Sequence, residues 1–258
     1  SPLKPACSTD FLESPVAGWK PEYREFYSRR FALKILKRLL AKHNTPDFLP
    51  EFLIPEICTT KSEIEILFKR WGKLLIKAPW SSSGRGLQPV TKTPVHPKVW
   101  EKLLGIINSQ GFLIVEPLLE KALDLAFQFE ISKGKIIYLG ISNFVADSKG
   151  QYAGNHLNGL PENLDRGVAE FAAAIPGILI RPLIHILENS ELAKNYEGNF
   201  GIDTLIFYDQ NHKLKINPCL EINLRQNMGL VSLSLEKIIH PEKKAMFLGF
   251  QSAKEIFL

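Results

Sequence analysis

The sequence predicts an α+β fold with largely antiparallel sheets. Two observations carry this. Leu125, Phe127, Phe129 and Ile131 alternate with Ala126, Gln128 and Glu130, and Ser-Lys-Gly at 132–134 turns the chain into KIIYLGI (135–141), so the pair reads as a hairpin of half-buried strands. A second hairpin is read from Asp203–Tyr208, a turn at Asp-Gln-Asn-His, and a strand over Lys213–Ile222 interrupted at Pro218. Segments of helical period stand between and around these strands.

Residues 1–20 contain Pro and Gly without sustained periodicity and read as an extended leader or linker. From Pro21, a first-turn residue, Tyr23, Phe26, Tyr27, Leu33, Leu36, Leu39 and Leu40 form the apolar face of a helix that ends at 44–50. A second helix is expected over Ser62–Arg70, where Ser62 and Glu65 have capping-box spacing. KLLIK (73–77) is a short strand, followed by a Gly/Ser loop. Pro97–Asn108 is helical, and Phe112–Val115 is a buried-type strand. Residues 161–195 are mostly helical, with Pro176 and Pro182 as breaks, and a last helix is placed at Leu233–Ile239.

Composition narrows the classes. The chain has 258 residues, 45% hydrophobic and 23% charged, which is globular rather than disordered. The most apolar stretch, Phe171–Leu187, is interrupted by Pro176, Gly177, Arg181 and Pro182, so no membrane span is expected. Three distant cysteines, Cys7, Cys58 and Cys219, form no disulfide framework or zinc motif, which implies a reducing, cytoplasmic setting. The six histidines contain no HExxH, against a zinc hydrolase. The net charge of +5 lies within Lys20–Lys42, where eight Lys/Arg face two acids. A single basic helix fits a solvated face or an acidic partner better than a nucleic-acid reader.

Three segments can carry chemistry. In Lys77-Ala-Pro-Trp-Ser-Ser-Ser-Gly-Arg-Gly86 a strand delivers a lysine into a loop with three hydroxyls and two glycines. Glycines let backbone N–H groups approach phosphate oxygens, and Lys77 and Arg85 supply charge; a plain surface hairpin loop fits the same residues. Glu221 and Asn223 lie i, i+2 on one strand face, and Arg225 follows on that face if the strand continues. With the hairpin turn centred near 211, Asp203 faces residue 219, two places from Glu221. Two carboxylates and an amide are hard ligands suited to magnesium, although a solvated polar face is the alternative. Finally, Val115-Glu116-Pro-Leu-Leu-Glu120…Asp124 ends a strand in a connector that either presents groups to an adenine and ribose or simply links two lobes.

In this order the three segments resemble the ATP-grasp superfamily, over about residues 21–240, and Glu221-Ile-Asn223-Leu-Arg225 looks like its carboxylase and carboxylate–amine ligase branches. The resemblance implies two lobes clasping ATP, the first over 21–114 with the phosphate loop and the second over 115–258 with the metal site. It implies that Lys77 neutralises the α/β-phosphates and that Ser81, Ser82, Ser83, Gly84, Arg85 and Gly86 cover the nucleotide. Glu116 and the backbone near Leu118 would hold adenine, and Asp124 or Glu120 the ribose. Asp203, Glu221 and Asn223 would hold one or two Mg²⁺ (or Mn²⁺). Arg225 would receive a substrate carboxylate, activated as an acyl phosphate for attack by an amine. Arg181, His185, Asn155 and His156 are open to the second substrate or to ordinary structural roles. A kinase acting on a hydroxyl of an anionic substrate and a non-catalytic nucleotide module are the competing expectations. The superfamily also implies a preceding α/β domain, with residues 1–20 at the junction.

Overall fold

The computed structural model describes residues 21–43, 45–81, 86–147 and 151–248. They form an α+β arrangement of two antiparallel sheets. The smaller sheet contains β1 (Glu56–Cys58), β2 (Leu74–Lys77), β3 (Leu87–Val90) and β4 (Leu113–Pro117), in the order β1-β4-β2-β3. Helices α2 (Lys61–Trp71) and α3 (Pro97–Gln110) cover it, with Ile64, Leu67 and Leu103 packed on Leu74, Ile76, Leu113 and Val115. The start of α2 differs from the expectation. Its cap is Thr60, whose hydroxyl accepts from the Glu63 N–H at 3.3 Å while Glu63 accepts from the Thr60 N–H at 3.0 Å. A capping box needs its hydroxyl residue outside the helix, and Ser62 already lies in the first turn.

The larger sheet has the order β10-β7-β6-β5-β8-β9, built from β5 (Glu120–Ser132), β6 (Lys135–Ala146), β7 (Tyr152–Leu157), β8 (Gly198–Tyr208), β9 (Leu214–Asn223) and β10 (Ala245–Leu248). Lys133 and Gly134 take φ of 51° and 74°, the left-handed pair required by a two-residue hairpin loop between β5 and β6. The apolar rows of this sheet, including Phe127, Phe129, Phe200, Ile202 and Ile216, lie in one core with helices α1 (Arg29–Lys42) and α4 (Arg166–Glu188). The rings of Phe129 and Phe200 stack at 5.3 Å. A short helix α5 (Glu191–Asn195) follows α4, and α6 (Met228–Glu236) begins five residues before the expected closing helix, capped by Asn227.

Pro176 and Pro182 do not break α4, which is continuous for 23 residues. Each proline removes one helix hydrogen bond and costs about 3 kcal/mol in isolation. The buried stripe Val168, Ala172, Ile175, Leu179, Leu183 and Ile186 recurs at three- and four-residue spacing and offsets that cost. By length and composition α4 could cross a membrane, but here its stripe packs into the core.

Helix α1 starts after a 3-10 turn at Pro21–Glu25, with Ser28 as its cap, rather than running from Pro21. It packs along β9 and α4. Strand β4 faces both cores: Leu113 and Val115 point into the small one, Ile114 into the large one. The edge of β9 is covered where the Ile216 N–H donates to the Asp47 carbonyl at 2.8 Å, closing an edge that would otherwise invite pairing.

Candidate functional site

The register of β8 and β9 builds the carboxylate pair. Near the turn Tyr208 pairs with Leu214 and Leu205 with Asn217, as a turn centred on 211 requires. Beyond Pro218 the register slips, and Asp203 pairs directly with Glu221 and Gly201 with Asn223. Three residues of β9 (218–220) therefore stand against one residue of β8 (204), a bulge with two extra residues. Pro218 cannot donate to a ladder and sits in that bulge, while the Asn217 side chain accepts from the Cys219 N–H at 3.3 Å. The expected pairing of Asp203 with residue 219 is thus corrected, and the correction brings the two acids face to face.

By strand alternation Asp203, Glu221 and Asn223 point away from the core that holds Ile202 and Ile222. Asn223 donates its amide N–H to Asp203 at 3.0 Å. Burial, then the Glu221 charge, pushes the Asp203 carboxyl up to about 7, against the Asn223 hydrogen bond and Arg225. Asp124 is close enough to raise it further, and is itself raised by burial against the pull of Lys121 and Lys77. Lys77, Asp124, Asp203, Glu221 and Asn223 therefore share one electrostatic neighbourhood. Among the described residues no group of three or more His, Cys, Asp or Glu gathers as a metal site. The donor set here is two carboxylates and an amide, oxygen ligands that fit a hard divalent cation needing phosphate oxygens to complete its shell.

The facing acids set a pH dependence. The folded chain keeps a proton on Asp203 up to about pH 7, while the ordinary value for the side chain is 3.8. Between those values the folded state binds more protons than the unfolded one, so stability falls as pH rises. Asp203→Asn is expected to be more stable than the parent at pH 8 and equal to it near pH 4, read by urea unfolding. An equal difference at both pH values would refute the buried proton.

Other placements differ from the expectations. Lys77 Nζ lies 2.6 Å from Glu116 Oε1, with side-chain exposures of 5% and 10%. The Glu116 carboxylate is therefore engaged by Lys77, and an adenine would have to rely on backbone groups. The Leu118 N–H is also engaged, donating to the Lys73 carbonyl at 3.0 Å. Asp124 accepts from Lys121 at 2.7 Å, and Glu120 is exposed. Strand β9 ends at Asn223, and the Arg225 N–H turns back to the Asn223 carbonyl at 3.0 Å, so Arg225 lies exposed past the strand end. It remains within electrostatic reach of Asp203 and Tyr27. The loop closes where Ala78 N–H donates to the Gly86 carbonyl at 2.9 Å; a Cβ on Gly86 would come within 2.5 Å of Ser81 Oγ, so glycine is required there. Ser82, Ser83, Gly84 and Arg85 lie outside the described residues. The structure does not gather Arg181, His185, Asn155 and His156: the first two are exposed on α4, and the other two are adjacent on β7 and so point to opposite faces.

Arg29 is the site residue that sequence reasoning missed. It is 5% exposed, and its guanidinium donates to both Glu221 oxygens at 3.1 and 3.0 Å, to the Ala78 carbonyl at 2.7 Å and to Ser81 Oγ at 2.5 Å. A signal existed: Arg29 occupies the helix stripe continued by Ala32, Leu33 and Leu36, a charge at an apolar position. A gap of about 10 Å³ separates Arg29, Lys77, Glu116 and Asn217, far smaller than a nucleotide. A cavity of about 950 Å³ lies between α2 and α3, lined by Phe68, Val90 and Trp100, and none of the expected site residues borders it.

Comparison with protein-family models and with curated proteins gives no match. Solved structures do match. One is the biotin carboxylase domain of Hydrogenobacter thermophilus 2-oxoglutarate carboxylase, in complex with MgADP, ADP and bicarbonate, at 16% identity and a TM-score of 0.56 over 82% of this chain and 42% of that one. Another is Campylobacter jejuni biotin carboxylase in a β,γ-ATP complex, at 16% identity and TM-score 0.55, over 81% of this chain and 42% of that one. Rhizobium etli pyruvate carboxylase matches at 16% identity and TM-score 0.55, over 81% of this chain and 16% of that one. The chain thus spans about two fifths or less of the proteins it is similar to. The likeness shows the fold, which is the ATP-grasp fold.

Proposed function

We propose that the chain binds a metal–ATP complex over the Asp203–Glu221 face and uses it to activate a substrate carboxylate for attack by an amine. The observation that carries this reading is the in-register pair of acids, half-buried side by side and flanked by Asn223, within electrostatic reach of Asp124 and Arg225. With both acids ionised, Arg29 alone balances only one of the two charges, so a bound cation is favoured. Asp203, Glu221 and the Asn223 amide oxygen would hold one or two Mg²⁺. When bound, the metal–nucleotide supplies a γ-phosphoryl group, so that a carboxylate oxygen forms the new P–O bond, ADP leaves, and an amine then displaces phosphate from the acyl phosphate.

The chain's own part is positioning and charge neutralisation. Lys77 has three donors, so it can serve a phosphate while keeping Glu116. Asp124 would take a ribose hydroxyl once its bond to Lys121 opens. Arg225, exposed beyond the strand, offers a two-pronged donor to a carboxylate. The biotin carboxylase structures hold ADP with magnesium, or an ATP ligand, on the same fold, which supports the choice of nucleotide.

The test is turnover with Mg-ATP and a panel of carboxylates in hydroxylamine. Hydroxamate formed together with ADP supports the ligase reading. A phosphate ester without hydroxamate would move the reading to a kinase. Calorimetry showing no nucleotide binding with Mg²⁺ present would remove it altogether.

A further inference from the structure

Arg29 holds the described start of the loop and the carboxylate pair together. Its backbone N–H donates to the Pro79 carbonyl at 3.0 Å, and one guanidinium nitrogen is fixed by Ala78 and Ser81. The other nitrogen covers both oxygens of Glu221, the acid assigned above to the metal. Its Nε is buried without a partner, so the guanidinium has a donor in reserve. A cation and this guanidinium compete for the same two oxygens. Glu221 is still 27% exposed on its side chain, so the carboxylate can be reached from solvent.

We propose that Arg29 is the exchangeable counter-ion of Glu221: it neutralises the carboxylate while the site lacks metal–nucleotide, and moves to phosphate oxygens when metal–nucleotide arrives. The inference rests on the reading of the Asp203–Glu221 face as a metal–nucleotide site. Two consequences follow from the geometry. A bare divalent cation binds poorly, because it meets a positive charge already seated on Glu221. A cation carried by a triphosphate or diphosphate binds well, because its phosphates give the displaced guanidinium a new anion, and the bonds to Ala78 and Ser81 keep Arg29 beside the start of the loop. Arg29 thus makes the site select metal–nucleotide over free metal.

The test is a Mn²⁺ titration of the whole chain at pH 8, followed by the electron paramagnetic resonance of free Mn²⁺, with and without ADP. Arg29→Met keeps the length of the stem and removes the charge. It is expected to tighten nucleotide-free Mn²⁺ binding about tenfold or more, the weight of a charge-assisted pair, and to weaken binding of ADP with Mn²⁺. Adding Glu221→Gln to Arg29→Met should abolish the gain. Where Arg29→Met does not fold, Arg29→Lys, which keeps charge but loses the fork, is read in the same titration and should tighten bare Mn²⁺ by a few fold. Unchanged bare-metal affinity in a folded Arg29 variant overturns the inference and leaves the metal–nucleotide reading standing. A parent chain that binds no Mn²⁺ even with ADP overturns both.

Discussion

Glu221→Gln is expected to lower Mg-ATP-dependent turnover by about 100- to 1,000-fold, the loss that follows removal of one preorganised charge contact to a transferring group. The change keeps the shape of the side chain and one acceptor oxygen. Arg29, at 4% side-chain exposure, therefore retains a hydrogen bond but loses its counter-charge. A buried guanidinium left without an anion costs up to about 3–5 kcal/mol, and the retained amide oxygen should hold the loss below that. Turnover and stability can be separated by measuring the melting transition and the ATP-to-ADP rate on the same preparation. A folded Glu221→Gln chain with parental turnover would remove Glu221 from the metal site. Asp203→Asn should lose turnover similarly while gaining stability at pH 8, because its burial penalty falls on the charged form. The two variants therefore move stability in opposite directions and activity in the same one, a pattern that simple structural damage does not give.

Much of the fold could be read from local pattern. The β5–β6 hairpin follows from alternation and a two-residue loop, and α3 from Pro97 at its first position. Where the structure departs from local pattern, a longer-range contact outweighs the local signal. Pro176 and Pro182 are breakers by local rule, but a buried stripe of six residues holds α4 together across both. The Asp203–Glu221 register depends on a bulge that no hydrophobic period encodes, and Pro218 was its one visible mark. The short strands β1, β3, β7 and β10 have little pattern of their own and are defined by their partners. Within the site, residue types were legible but pairings were not. In sequence Lys77 and Glu116 read as separate contacts to a nucleotide, yet across 38 intervening residues the two side chains form one ion pair. In sequence Arg29 is one more charge of a basic helix, and only its place on the apolar stripe distinguishes it from Lys34, Lys37 and Arg38, which are exposed.

The Lys77–Glu116 pair supports the largest stability prediction. Both side chains are nine-tenths buried or more, and the charged atoms are 2.6 Å apart. Taking two charges out of water costs nearly what their attraction returns, so the pair itself adds little; removing one partner is what is costly. Lys77→Met is expected to lose about 3–5 kcal/mol, because the Glu116 carboxylate is left buried and uncompensated. For a chain of this size that lowers the melting temperature by roughly 10 °C. Lys77→Met with Glu116→Leu replaces the pair by apolar groups of similar volume and should recover most or all of the loss. Nucleotide binding must not follow the same course. If Lys77 neutralises phosphate, ADP affinity in the presence of Mg²⁺ falls in the single variant and stays low in the stable double variant. Were the double variant to bind ADP as the parent does, Lys77 would be only the structural partner of Glu116, and the phosphate charge would have to come from elsewhere in the site. A single variant as stable as the parent would instead show that water reaches the pair in solution. The double-mutant cycle thus divides what Lys77 does for the fold from what it does for the ligand.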